Sequence, residues 1–161
     1  MNIRIHHDNA VLIGGLSLLL AACVAKPIEV SMQTVRDADY GPYPQDYEQR
    51  IHSYLNEALL DADSAKIRII TPPRKVFRMS NQGVEGSGRA GWDAFYLVCA
   101  NVNAKNAYGG YAGWQTKLYQ FKDGKMEGQY PMGTYAACES TDDIYIDTTH
   151  IFGGDKVNIV P

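Results

Sequence analysis

The sequence predicts an α+β domain in which one N-terminal amphipathic helix packs on an antiparallel sheet of about four strands. Three observations carry that expectation. Tyr47, Ile51, Tyr54, Leu55, Ala58 and Leu59 recur at the spacing of one helical face. Trp92 to Ala104 alternates, with Tyr96, Val98, Ala100, Val102 and Ala104 on one side and Phe95, Leu97 and Cys99 on the other. Two turn signals, Lys105 to Gly110 and Lys122 to Lys125, separate successive extended stretches, so a meander is the simplest connection.

Residues 1–22 read as a removable leader. Met1 to Asn9 is polar, with Arg4 as its fixed positive charge. Ala10 to Leu20 is mostly apolar, long enough for a secretory leader and shorter than the roughly 20 residues of a bilayer span. It runs into Leu20-Ala21-Ala22-Cys23, where the small residues let a peptidase bind the extended backbone ahead of the cut. That tetrapeptide resembles the lipobox of bacterial lipoproteins. The resemblance implies a diacylglyceryl thioether on Cys23 and acylation, palmitate among the options, of its freed amine. Several acyl chains together anchor stably where one does not. Val24 stands where Asp commonly retains such proteins at the inner membrane. The resemblance therefore implies the outer membrane, with the domain facing the periplasm and surface exposure left open. Residues 23–43 then form the lipidated cysteine and a tether, since Lys26-Pro27, Asp37, Asp39 and Gly41-Pro42 sustain no periodicity.

The domain proper is expected over residues 44–147. Pro44 to Asp61 is the helix: Pro44 suits a first turn, and Asp46 and Glu48 suit the positive helix end. Lys66 to Arg78 reads as two short extended pieces, placed at an edge or bend because Thr71-Pro72-Pro73 breaks a ladder. Asn81 to Gly91 reads as a loop; its glycines lack the strand-then-helix setting of a phosphate cradle. Trp92 to Ala104 is apolar on both sides at its start and therefore central. Tyr111 to Lys122 returns, Met126 to Ala137 is a third strand interrupted near Pro131, and Asp143 to Asp147 a last short one. Residues 148–161 form a C-terminal tail without a partner.

With Cys23 assigned to lipid, Cys99 and Cys138 remain as one pair, expected to be bridged in an oxidising periplasm. The formal charge of −3 argues against nucleic acid, whose binding depends on neutralising phosphates. Lys66, Arg68, Arg74, Lys75, Arg78 and Arg89 share one stretch, and Glu139, Asp142, Asp143, Asp147 and Asp155 share another. These segments either pair or form separate solvated faces.

Asn103 to Trp114 is the most distinctive segment. Asn103, Lys105 and Asn106 supply polar groups, while Tyr108, Tyr111 and Trp114 offer flat amphipathic surfaces suited to protein interfaces and sugar faces. Val102-Asn103-Ala104-Lys105-Asn106-Ala107-Tyr108-Gly109-Gly110-Tyr111-Ala112-Gly113, with Asp61-Ala62-Asp63-Ser64-Ala65-Lys66, resembles a pattern in small envelope lipoproteins and secreted proteins of proteobacteria. The resemblance spans about residues 44–121 and brings no catalytic residue with it. An alternative is a plain hairpin whose Asn and Gly serve turn geometry. His52 and His150 have no nucleophile motif beside them, and Asp142, Asp143, Asp147 and His150 fit no common metal spacing. The expectation is a non-enzymatic, outer-membrane-anchored binding or scaffolding accessory of an envelope protein assembly, with no cofactor and no metal. The alternative is a glycan, peptidoglycan or small-ligand binding module using the same hairpin aromatics.

Overall fold

The computed structural model describes residues 27–80, 91–129, 135–150 and 156–161. In chain order these form β1 (Ile28–Ser31), α1 (Met32–Asp37), α2 (Tyr47–Ala58), β2 (Lys66–Ser80), β3 (Gly91–Asn103), β4 (Gln115–Lys122), β5 (Lys125–Gln129), α3 (Tyr135–Glu139), β6 (Ile144–His150) and β7 (Val157–Val160). The expected leader, Cys23 and the glycine-rich 81–90 stretch lie outside the described residues.

Five strands make the main sheet, in the order β5-β4-β3-β2-β6. β2 to β5 form the expected antiparallel meander, but β6 lies parallel to β2, so the sheet is mixed. The crossover is the cause. The chain leaves β5, passes through α3 and returns on the far side of β2, where it enters in β2's own direction. The stretch read as a third strand over 126–137 divides accordingly: β5 ends at Gln129, and Tyr135–Glu139 is helical.

β2 is interior, between β3 and β6, and not at an edge. Its 15 residues absorb the prolines through register shifts between Ile69 and Thr71 and between Thr71 and Arg74. A bulge is one of the few places in a sheet where a missing N–H costs no ladder bond. β3 occupies the middle of the sheet, as its two apolar faces require.

Two layers cover the sheet face bearing Tyr96, Val98, Ala100, Val102, Tyr119 and Phe121. Ile51 and Leu55 of α2 bury against it together with Tyr40. Beside them, Val30 and Val35 bury with Phe77 and Met79. On the opposite face, Phe95, Leu97, Cys99, Leu118 and Val76 pack with Ala137 of α3. The α2 helix is shorter than 44–61, and a second short helix precedes it. Asp46 makes no side-chain cap; its carboxylate pairs with Arg50 at 2.9 Å. Ala58 is exposed, while Tyr47, Tyr54 and Leu59 pack partly buried at the margin of the core.

The two segments expected to be tether and tail pair with each other. β1 and β7 form a parallel two-stranded sheet, Ile28 opposite Val157 through Ser31 opposite Val160. Ser31 caps α1 by accepting the Thr34 N–H at 3.0 Å, and Val35 is fully buried. Neither strand has a signal of its own, because four residues with alternating burial carry too little periodicity to register. Each becomes a strand by finding the other.

Candidate functional site

The 103–114 segment is a structured tip, with β4 beginning at Gln115 and not at Tyr111. Asn106 organises its turn. The Asn106 Oδ1 accepts the N–H groups of Tyr108 and Gly110 at 3.0 and 3.2 Å, and the Asn106 backbone bonds both Gly109 and Gly110. Gly109 sits at φ +81°, a conformation that L side chains avoid. Asn103 Oδ1 accepts the Gly113 N–H at 3.0 Å, and Lys105 bridges to Tyr111 across the loop. Both asparagines thus serve turn geometry.

The remaining polar groups tie the tip to the turn after α2. Register does this: Lys66 opens β2 directly opposite Asn103, which closes β3. The Lys105 ammonium pairs with Asp61 at 3.1 Å and holds that carboxyl below the usual carboxylate range. The Tyr111 hydroxyl donates to the Ser64 carbonyl at 3.1 Å, and the Lys66 ammonium lies 4.6 Å from the Tyr111 ring centre. The Arg68 guanidinium covers the Trp114 ring at 5.4 Å. The two segments that carry the sequence resemblance, 61–66 and 102–113, are therefore in contact. Arg68, which the sequence marks only as part of the basic stretch, is the partner whose place at the tip it does not reveal. It is reached only through the strand register, two residues along from Lys66.

What remains open to solvent is aromatic. Tyr108 is 97% exposed at the apex, and Tyr111 and Trp114 are 45% and 50% exposed beside it. Of the six expected binding residues, the structure brings all into one tip, but it assigns Asn103, Lys105 and Asn106 to holding that tip together.

Cys99 and Cys138 are at disulfide distance, with Cα atoms 5.9 Å apart. Cys138 comes from α3 and not from a strand. The neighbouring α3 carbonyls hold the proline bulge: Thr71 donates to Cys138 at 3.2 Å and Arg74 to Ala137 at 2.8 Å. The described parts of the basic and acidic segments lie side by side, because β2 and β6 are neighbours with Arg78 opposite Asp147; Arg89 and Asp155 lie outside the described residues. Arg78 bonds Asp93 at 2.8 Å, and Lys122 joins the same carboxylate, which raises the lysine's pKa. Asp147 is fully buried and accepts the N–H and hydroxyl of Thr149 at 2.9 and 2.7 Å. Among the described residues, no group of three His, Cys, Asp or Glu side chains is placed to hold a metal ion. His52 stands exposed on α2. No helix of the described residues is long and apolar enough to cross a membrane.

No protein-family model, no curated protein and no solved structure matches this chain.

Proposed function

We propose that this chain is a lipid-anchored lipoprotein of the bacterial outer membrane, its domain facing the periplasm, that serves as a non-catalytic binding or scaffolding accessory of an envelope protein assembly. The observation that carries the reading is the hairpin tip: Tyr108 stands in solvent with Tyr111 and Trp114 half-exposed beside it, while the polar groups around them close the turn that presents them. Aromatic side chains have only two side-chain torsions and lose little conformational freedom on contact, which makes them efficient anchors of an interface. The sequence resemblances to lipoproteins support the compartment. Four residues separate Cys23 from β1, a reach of at most about 17 Å. Phe77 and Met79, near one end of β2, pack beside β1 and β7, and Lys66 at the other end underlies the hairpin. That length of strand, about 40 Å at 3.3 Å per residue, would carry the tip away from the lipid.

A photo-crosslinking residue at Tyr108 in intact cells tests this, with the exposed α2 residue Glu57 as control position. A discrete protein adduct from 108, absent from 57 and lost on Trp114→Ala, is the expected result. No adduct at 108, or equal adducts from both positions, refutes it. An adduct that a glycosidase dissolves selects the glycan reading, for which the exposed faces of Tyr108, Tyr111 and Trp114 are the motivating feature. The anchor is tested separately: Cys23→Ser is expected to abolish lipid labelling, and normal maturation of that variant would remove the lipoprotein reading.

A further inference from the structure

A groove of about 1050 Å³ opens on another part of the molecule, beside the proline bulge of β2. Its position follows from the strand register. The parallel ladder between β2 and β6 begins at Lys75 opposite Ile144, so Thr71 to Arg74 have no β6 partner beside them. Pro72 and Pro73 line the groove and lack N–H groups, so their backbone offers only acceptors. Tyr43 lines it too and meets the Tyr96 ring edge-on, with centroids 5.5 Å apart.

The charges of this groove set it apart. Arg36 from α1 and Arg74 and Lys75 from β2 line it, and so do Asp142 and Asp143 just ahead of β6; the Arg74 guanidinium is already engaged, donating to the Ala137 carbonyl. These opposite charges do not neutralise one another; the ion pairs among the described residues are made by other side chains. Lys75 rests 4.9 Å from the Tyr40 ring centre, and the Asp142 carboxylate accepts from the Ser140 hydroxyl. The side chains of Arg36 and Asp143 have no hydrogen-bonded partner among the described residues. A ligand able to answer both signs at once must itself carry separated positive and negative ends. The volume lies at the upper limit of small-ligand pockets, roughly 300–1,000 Å³, and exceeds what a single ion needs.

We propose that this groove binds a short peptide through both of its free termini, the carboxylate at Arg36 and Lys75 and the ammonium at Asp143, with donors of the peptide backbone facing the Pro72 and Pro73 carbonyls. The proposal stands apart from the hairpin reading, since none of the groove residues belongs to the tip.

Isothermal titration of the detergent-solubilised full chain tests it, using tetra-alanine with free termini and its N-acetylated, C-amidated and doubly blocked forms. The free peptide is expected to bind, and each block to weaken it by about threefold to tenfold, the range of an exposed to a partly buried ion pair. Arg36→Gln is expected to erase the effect of amidation alone, and Asp143→Asn the effect of acetylation alone. Both residues are exposed, so both variants keep the fold, which circular dichroism verifies. Trp114→Ala is expected to change nothing. Absence of heat at about 5 mM free peptide, equal binding of the doubly blocked form, or loss of binding in Trp114→Ala overturns the proposal.

Discussion

The hairpin tip and the groove beside the proline bulge draw on the same residue types, yet they use them in opposite ways. At the tip, Lys105 is paired with Asp61, and Asn103 and Asn106 close the turn, leaving aromatic faces in solvent. In the groove the aromatic Tyr96 is buried, while Arg36 and Asp143 stay unpaired among the described residues. The tip is a preorganised apolar surface held by polar bonds; the groove is a charged surface held by a buried aromatic layer. Conspicuous polar residues in a sequence are therefore poor guides to free chemistry. At a tight turn they are the ones most needed for the turn itself.

The largest effect that can separate the two regions comes from the disulfide. Removing both cysteines by Cys99→Ala with Cys138→Ala is expected to lower stability by about 4 kcal/mol, given a loop of 39 residues. Because α3 carbonyls hold Thr71 and Arg74, amide exchange at Thr71, Arg74 and Lys75 should rise well beyond that at 106–110. Equal loss at both places would show that the two regions are one cooperative unit.

Asn106→Ala tests the converse. Two hydrogen bonds to the Tyr108 and Gly110 N–H groups disappear, so the tip should lose about 1 kcal/mol of local stability while groove amides stay protected. Exchange rates at Gly110 and Lys75, read together, decide it.

Two tyrosines in the shared core sharpen the contrast by moving stability in opposite directions. The Tyr119 hydroxyl is buried without a hydrogen-bond partner among the described residues, so Tyr119→Phe is expected to raise stability by about 1 kcal/mol. The Tyr40 hydroxyl donates to the Val35 carbonyl at 2.7 Å, so Tyr40→Phe is expected to cost about 1 kcal/mol of unfolding free energy, read from urea denaturation. Burial, with Tyr96 beside it, pushes the Tyr40 hydroxyl up to about 12 from its ordinary 10.0. The folded state then holds that proton more tightly than the unfolded chain does. Its contribution is complete below pH 10.0 and declines as pH rises towards about 12, a slope that Tyr40→Phe should reduce. The smallest effect is expected from Arg36→Gln, which should shift stability by less than about 0.5 kcal/mol, as for an unpaired surface side chain. A larger loss would mean that Arg36 belongs to the scaffold.

The sequence by itself determined the elements whose signal is local. The Ile51 and Leu55 positions of α2, the two-sided β3, the turn at Lys122 to Lys125 and the pairing of Cys99 with Cys138 were legible, because each rests on periodicity, turn chemistry or counting. The six hairpin residues were legible as a group for the same reason: turn formers and aromatics stand together along the chain. Tertiary structure alone decided the rest. β1 and β7 are strands only because 28–31 and 157–160 meet across the whole domain. β6 is parallel because α3 carries the chain over the sheet. Whether Thr71-Pro72-Pro73 marks an edge or a bulge depended on a second neighbour for β2, and that neighbour lies some seventy residues further along the chain. The charges of Arg36 and Asp143, more than a hundred residues apart, line one groove for the same reason. Local signals report what a segment can form. Only contact between distant segments decides which polar groups are satisfied and which remain free to bind.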